Sequence, residues 1–311
     1  MSSVTRNIFY LLIAYIVMCV YLSLAAPNFL TERNVVNILR QTSMIAIIGV
    51  GMTMVIIAAE VDLSVGSVAA FSGVLFAMMT AQWKIPLLFA AVLTLTVASL
   101  SGLIIGILRV TLRIPSFISS LALLTALRSA AFLLTGGFPI SPLPSGFELL
   151  GNGALGPIPV PVILMGLTYF IGFVVMANTP WGRSVYAVGG NEEAARLSGI
   201  SVPRIKIGVF VISSLLAALA GLILAARLEA GQAAVAQGWE LDVIAAVIIG
   251  GTSLFGGRGN ILGTLLGGLF MGTLQDGMVL IGVSPFAQGV VSGVVILAAV
   301  TMAAWQTRGA S

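Results

Sequence analysis

Apolar residues run through this chain in blocks of about twenty, each bounded by a charge, a proline or a glycine. With no water inside a bilayer to bond to, the backbone of such a block must pair with itself, so the blocks mean helices. The expected spans lie near 8–25, 42–59, 63–81, 86–108, 115–134, 159–178, 206–226, 240–254, 260–282 and 285–305. The pattern therefore predicts an all-α integral membrane protein of about ten transmembrane helices, forming a single transmembrane domain over 1–311. The eighth block is short and runs into GGTSLFGGRGN, which predicts a broken or partial span.

Two places break the apolar pattern. The larger is the island NTPWGRSVYAVGGNEEAARLSGISVPRIKIGV, with Arg183, Glu192, Glu193, Arg196, Arg204 and Lys206. Within it Gly189 and Gly190 permit a turn and Asn191 is placed to cap a helix. EEAARLSGI then reads as a short helix closed by Gly199, with Pro203 just beyond. Glu192 and Glu193 stand in its first turn and Arg196 near its end, which complements the helix dipole. A helix of this kind between two spans is built to be gripped by a partner. The smaller break, AAEVDLSVGS, separates the second and third spans by Glu60, Val61 and Asp62.

Composition supports the membrane reading: of 311 residues, 59% are hydrophobic and 8% charged, against about 25% charged in soluble domains. The net charge of +4 comes from cations scattered at span ends, with no aromatic-flanked basic patch, so nucleic acid is not an expected partner. The chain has no histidine and one cysteine, Cys19. That leaves no internal disulfide and argues against a transition-metal, haem or iron–sulfur site.

Charge asymmetry sets the expected orientation. With the N-terminus inside, the inner loops collect Arg6, Arg109, Arg113, Arg183, Arg196, Arg204, Lys206, Arg258 and Arg308. The outer side receives Arg33, Arg40, Lys84 and Arg227, with Arg128 near the outer end of a span. Both termini and the segment 179–205 are then cytoplasmic. The stretch 135–158 becomes the largest outer loop, and 26–41 an outer connection with a short amphipathic helix. The apolar run after Arg6 is expected to be an uncleaved first span rather than a signal peptide. Trp83, Trp181 and Trp305 at span ends, and Trp239, are expected interface anchors.

Candidate chemistry is sparse. Carboxylates are costly inside a membrane unless they face water or protein. Asp62 followed by Ser64 could cap the third helix and leave Glu60 facing a cavity. Two roles stay open for Glu60, Asp62 and Ser64: a solvated, capping inner turn, or contact with a translocated solute or its gate. The outer segment NFLTERNVVNILRQTS carries Asn28, Asn34, Asn37, Arg40 and Gln41. It reads as a solvated interfacial helix or as a polar rim for a hydrophilic solute. GGTSLFGGRGNILG lacks the preceding strand, the Lys-Ser/Thr ending and the spacing of a P-loop, so its glycines are expected to serve a broken helix. With no nucleotide motif, any ATPase that drives transport must be another protein. A weak echo of 58–76 in 249–267 suggests an internal repeat.

Taken together and in order, four segments resemble the permease subunits of ribose-type ATP-binding-cassette (ABC) importers: NFLTERNVVNILRQTSMIAIIGVGMTMVIIAAEVDLSVGS (28–67), LRIPSFISSLALLTALRSAAFLLTGG (112–137), WGRSVYAVGGNEEAARLSGISV (181–202) and VIIGGTSLFGGRGNILGTLLG (247–267). The resemblance covers nearly the whole chain. It departs from the family where Ala58 and Ala59 replace two glycines and Val61 stands in the place of an isoleucine. It implies a type II-like permease in a bacterial inner membrane, paired with a second permease subunit as a homo- or heterodimer. It implies a cytoplasmic ABC ATPase, as one tandem chain or two, which binds ATP and Mg while this chain binds no cofactor or metal. It also implies a periplasmic or lipid-anchored solute-binding protein that delivers a pentose, a hexose or another small polar solute. Gly189, Gly190, Asn191, Glu192, Glu193, Ala194, Ala195, Arg196, Ser198, Gly199 and Ile200 would form the coupling helix to the ATPase. Glu60, Asp62, Ser64 and Asn37 are the candidates for the translocation pathway, and no residue is a candidate catalyst. An ion-coupled secondary transporter would need ionisable groups within several spans, and only Glu60, Asp62 and Asp276 offer themselves. A membrane-embedded enzyme would need a catalytic cluster that the chain lacks.

Overall fold

A computed structural model of the chain describes residues 3–308, with side chains over 9–301. Arg6, Trp305 and Arg308, used above to orient the chain, lie outside the described side chains. Thirteen helices account for about three quarters of the described residues: α1 (Ser3–Ala25), α2 (Glu32–Ile57), α3 (Val65–Ala77), α4 (Leu87–Thr111), α5 (Ser116–Thr135), α6 (Leu149–Asn152), α7 (Val160–Asn178), α8 (Pro180–Gly190), α9 (Glu192–Leu197), α10 (Val202–Leu228), α11 (Trp239–Ile249), α12 (Ile261–Leu280) and α13 (Pro285–Arg308). A wider π-helical turn, Met78–Gln82, continues α3. A two-strand hairpin, β1 (Ala154–Leu155) against β2 (Ile158–Pro159), leads into α7. Among the described residues six helices are long and apolar enough to cross a membrane: α2, α3 with its π turn, α4, α5, α7 and α10.

The centre of the bundle is α2 and α10. From Thr42 to Ile57 every residue of α2 is buried, and α10 packs on α2, α3 and α4. Small residues set this close packing: α4 turns Ala98, Ser101, Gly102, Ile105 and Gly106 inward, and α10 meets Gly102 and Gly106 with Ile207, Phe210 and Ser214. Ser101 Oγ donates to Ser214 Oγ at 3.1 Å. Helices in a bilayer gain nothing by hiding apolar surface from lipid, so backbone proximity and such hydroxyl bonds carry the association. On the outside, α4, α5 and α7 expose Leu88, Phe89, Phe117, Leu121, Leu133, Leu167 and Phe170, as expected of side chains solvated by hydrocarbon.

Two local expectations change, and the short eighth span is as expected. The amphipathic outer segment is not a separate helix. Thr31 caps at Asn34 N, and nothing after it breaks the chain, so the segment forms the first turns of α2. The island is more helical than its glycines suggested, because α8 runs through Gly189 and Gly190 and the bend falls at Asn191. Finally α11 has 11 residues, about 16 Å of helix, and residues 250–260 continue irregularly to α12.

Candidate functional site

Asn191 makes α9 possible. Its Oδ1 accepts from Ala194 N at 2.9 Å, while its own backbone is extended, so α8 stops and α9 starts there. The helix closes when Gly199, at φ +81°, lets its N–H bond to Arg196 O and Ile200 N bond to Ala195 O. Only Ala195 of its six residues is buried. Arg196 Nη2 donates to both carboxylate oxygens of Glu193, at 2.6 and 2.8 Å, on the exposed surface. An exposed pair of this type is worth a few tenths of a kcal/mol at most, so it shapes the surface rather than holding the fold.

Glu192 points the other way. Its Oε2 lies 2.7 Å from Lys206 Nζ, at the start of α10. The same Lys206 Nζ is 2.7 Å from Glu60 Oε1, and Arg109 Nε donates to that oxygen at 2.7 Å. The two polar breaks in the sequence thus meet in one cluster, Glu192–Lys206–Glu60–Arg109, with two charges of each sign. Glu60 is 5% exposed and Lys206 3%. Glu60 therefore opens onto no cavity of the single chain; it is the buried anchor of the cluster.

The Lys206 hydrogen bond, reinforced by the charges of Lys206, Arg109 and Arg196, holds the Glu192 carboxyl below its ordinary range against an opposing desolvation. A depressed carboxylate adds stability that is complete above its unfolded value and disappears as pH falls through the folded one. The stability difference between wild type and Glu192→Gln is expected to stay constant from about pH 8 to 5. It should vanish only below the ordinary carboxylate value of about 4.3. Thermal unfolding of both proteins across that range measures it.

Asp62 is wholly buried, and its bonds are structural. Oδ1 accepts from Ser64 N (2.9 Å) and Ser64 Oγ (2.6 Å), and Oδ2 from Ser213 Oγ of α10 (2.9 Å). These bonds tie the α2–α3 connection to α10. Asp62→Ala leaves three buried donors unmatched and is expected to destabilise by about 3 kcal/mol, against about 1 for Ser213→Ala. Thermal unfolding in detergent separates the two.

Backbone contact completes the site. Gly257 N donates to Ile57 O at 2.9 Å, joining the irregular 250–260 segment to the end of α2. Tyr186 of α8 donates to Gly259 O at 3.0 Å. Gly189 sits in the crevice between them: a Cβ there would run into Ile57 O and come within 2.8 Å of Gly257 N. Its φ is not positive, so close approach explains this glycine, not a turn. A Cβ at Gly190 would meet nothing nearer than Gly257 Cα, at 3.9 Å, so that residue is free of the demand.

Asn37 lies at the opposite end of α2. Its Oδ1 accepts from Arg227 Nη2 at 3.0 Å, and its Nδ2 donates to Asp276 Oδ1 at 3.4 Å. Asn34 Nδ2 donates to the other oxygen of Asp276 at 2.9 Å. The candidates therefore divide into two places: residues 189–200 with Glu60, and Asn37 with its partners a helix length away.

The sequence reading missed three members of the site. Leu197 is 80% exposed at the end of α9. It lies two residues from the buried Ala195, hence about 200° round the helix at 3.6 residues per turn, and that spacing was the available signal. Lys206 was seen only as one cation of the island, and Arg109 only as a span-end charge. Their common partner is 146 and 49 positions away in sequence, which no local pattern records.

Comparison with known proteins identifies the family. The family model described as "Branched-chain amino acid transport system / permease component" matches residues 34–300. The ribose import permease protein RbsC of Escherichia coli (strain K12) is 43% identical over 296 residues, covering 93% of this chain and 91% of the relative. RbsC of Bacillus subtilis (strain 168) is 43% identical over 288 residues, with 92% and 89% covered. The xylose transport system permease protein XylH of E. coli (strain K12) is 34% identical over 364 residues, with 97% and 93% covered. No solved structure matches the chain. The chain belongs to this family of transport-system permeases, alongside the ribose import permeases.

Proposed function

We propose that the chain is the non-catalytic membrane subunit of an ATP-driven ABC importer that moves a pentose or hexose across a bacterial inner membrane. The family match and the ribose and xylose permease relatives support the substrate class. The observation that carries the mechanism is α9: a self-capped helix exposing Glu193, Arg196 and Leu197 while tied inward through Glu192. In this reading α9 is the coupling helix, residues 179–205 face the cytoplasm, and ATP and Mg reside on a separate ABC ATPase. A solute-binding protein docks at the Asn37 end. Two permease subunits enclose the path, and about ten spans, with α1, α11, α12 and α13 added to the six above, build each.

ATP-driven closure of the ATPases would move α9 as a lever, and the bundle would alternate between outward and inward openings. No bond of the solute changes. Glu60, Asp62, Ser64 and Asn37 make their bonds to protein groups, so their part in the pathway is to hold the helix ends that border it. Ion coupling draws no support: both oxygens of Asp276 are held by Asn34 and Asn37.

The test is isolation of the chain with its ATPase, followed by assay of ATP hydrolysis and sugar uptake in proteoliposomes. Glu193→Ala and Arg196→Ala are expected to weaken stimulation of ATP hydrolysis by the loaded binding protein while leaving the fold intact. Normal stimulation and uptake in both variants would sink the assignment of α9. Uptake that persists without the ATPase and follows a sodium or proton gradient would sink the importer reading itself.

A further inference from the structure

The cluster at the root of α9 has an asymmetry that suggests a role for Lys206 beyond support. Its two partners differ in kind. Glu60 is buried at the α2–α3 connection and shared with Arg109 of α4, whereas Glu192 is largely exposed on the small, separately capped helix. Glu60 would be stranded in a dry site without its cations, and removing one partner of a buried pair costs about 3–5 kcal/mol. Glu192 can turn to water if its bond breaks. Lys206 is therefore bound firmly to the bundle and loosely to α9. It also sits near the start of α10, the helix that packs on α2, α3 and α4.

We infer that Lys206 is a positioning residue for transport, the tie through which displacement of α9 reaches α10 and the α2–α3 connection. The inference rests on α9 being the ATPase-coupling helix and adds the route of transmission. When α9 moves outward by less than the play of the lysine side chain, Glu192 draws Lys206 with it, and the start of α10 follows. When the displacement exceeds that reach, the Glu192 bond opens and Lys206 returns to Glu60, so the buried carboxylate is never left without charge. The contact is thus a two-state element that both the bundle and the partner bias. Lys206 has almost no surface of its own, so it can act on a bound partner only through Glu192.

The test uses the complete importer, with the ATPase bound and loaded binding protein added, in proteoliposomes. Lys206→Met removes the tie but strands Glu60 beside Arg109 alone. The double variant Glu60→Gln with Lys206→Met removes both buried charges and keeps the fold testable. In the double variant, which leaves the exposed face of α9 untouched, ATPase co-purification should match wild type. Sugar transported per ATP should fall about fivefold or more, the range of a typical coupling free energy. Lys206→Arg, which keeps the charge, should restore part of the ratio. An unchanged ratio in the double variant would overturn the inference. So would loss of ATPase binding, or failure of both variants to fold, since Lys206 would then be structural support. Failure of the wild-type chain to retain any ATPase would instead overturn the coupling reading on which the inference stands.

Discussion

Leu197→Asp is expected to strip the permease of its ATPase. Leu197 is the large apolar side chain on the free face of α9, 80% exposed, between the Glu193–Arg196 pair and the Gly199 turn. Exposed leucines are common, but this one is carried by a six-residue helix with its own cap and no packing need for it. A buried apolar anchor ringed by polar contacts is the usual energetic centre of a protein interface, worth about 2 kcal/mol or more on truncation. In an interface of the proposed kind, a carboxylate in that position adds an unpaired charge to a desolvated pocket. We expect at least about thirtyfold weaker ATPase retention, following from that 2 kcal/mol, and loss of uptake. The bundle's own thermal unfolding should not move, because Leu197 touches none of its core. Co-purification, uptake and thermal unfolding of the variant beside wild type measure all three, and full ATPase retention would remove Leu197 from the interface.

Gly189→Ala is expected to be the most damaging single methyl in the 189–200 segment. A Cβ at 189 meets the carbonyl of Ile57 and the amide of Gly257, both backbone atoms already bonded to each other. Backbone cannot swing aside as a side chain does, so α8 must lift from the α2 end or that hydrogen bond must open. Overpacking of this sort costs about 1–3 kcal/mol, and we expect the upper end, because three segments are displaced together. Gly190→Ala next door is the control: a Cβ there meets nothing nearer than 3.9 Å, and the variant should unfold and transport like wild type. A Gly189→Ala protein as stable as Gly190→Ala would show that the crevice relaxes freely.

The two glycines illustrate which parts of the site could be read from residues alone. Asn191, Glu192, Glu193 and Gly199 announced a capped and closed helix, because capping chemistry depends on neighbours three or four positions away. Gly189 announced a special backbone position but not its reason, since a turn and a close approach ask for the same residue. The helix blocks were legible because the solvent imposes them. The continuation of α2 into its first polar turns was not, since polarity marks where a helix leaves lipid and not where it ends. Glu60 was the hardest case. A carboxylate at a span end has the same sequence signature whether it faces water or is buried against cations, and its partners Arg109 and Lys206 come from two other helices.

Helix α10 is unbroken over 27 residues, about 40 Å of rod, with Lys206 near one end and Arg227 bonded to Asn37 at the other. The 21 residues from Lys206 to Arg227 span about 32 Å, so a pivot of about 5° at Lys206 carries Arg227 through roughly 2.7 Å. A stretch of only about 0.6 Å already takes the 3.0 Å contact between Arg227 and Asn37 out of hydrogen-bonding range. A tilt too small to disturb the packing of α2 and α4 near the pivot would therefore be enough to unfasten the polar cluster at the opposite mouth. Amplification by leverage lets a small displacement on one side of the membrane alter hydrogen bonding on the other.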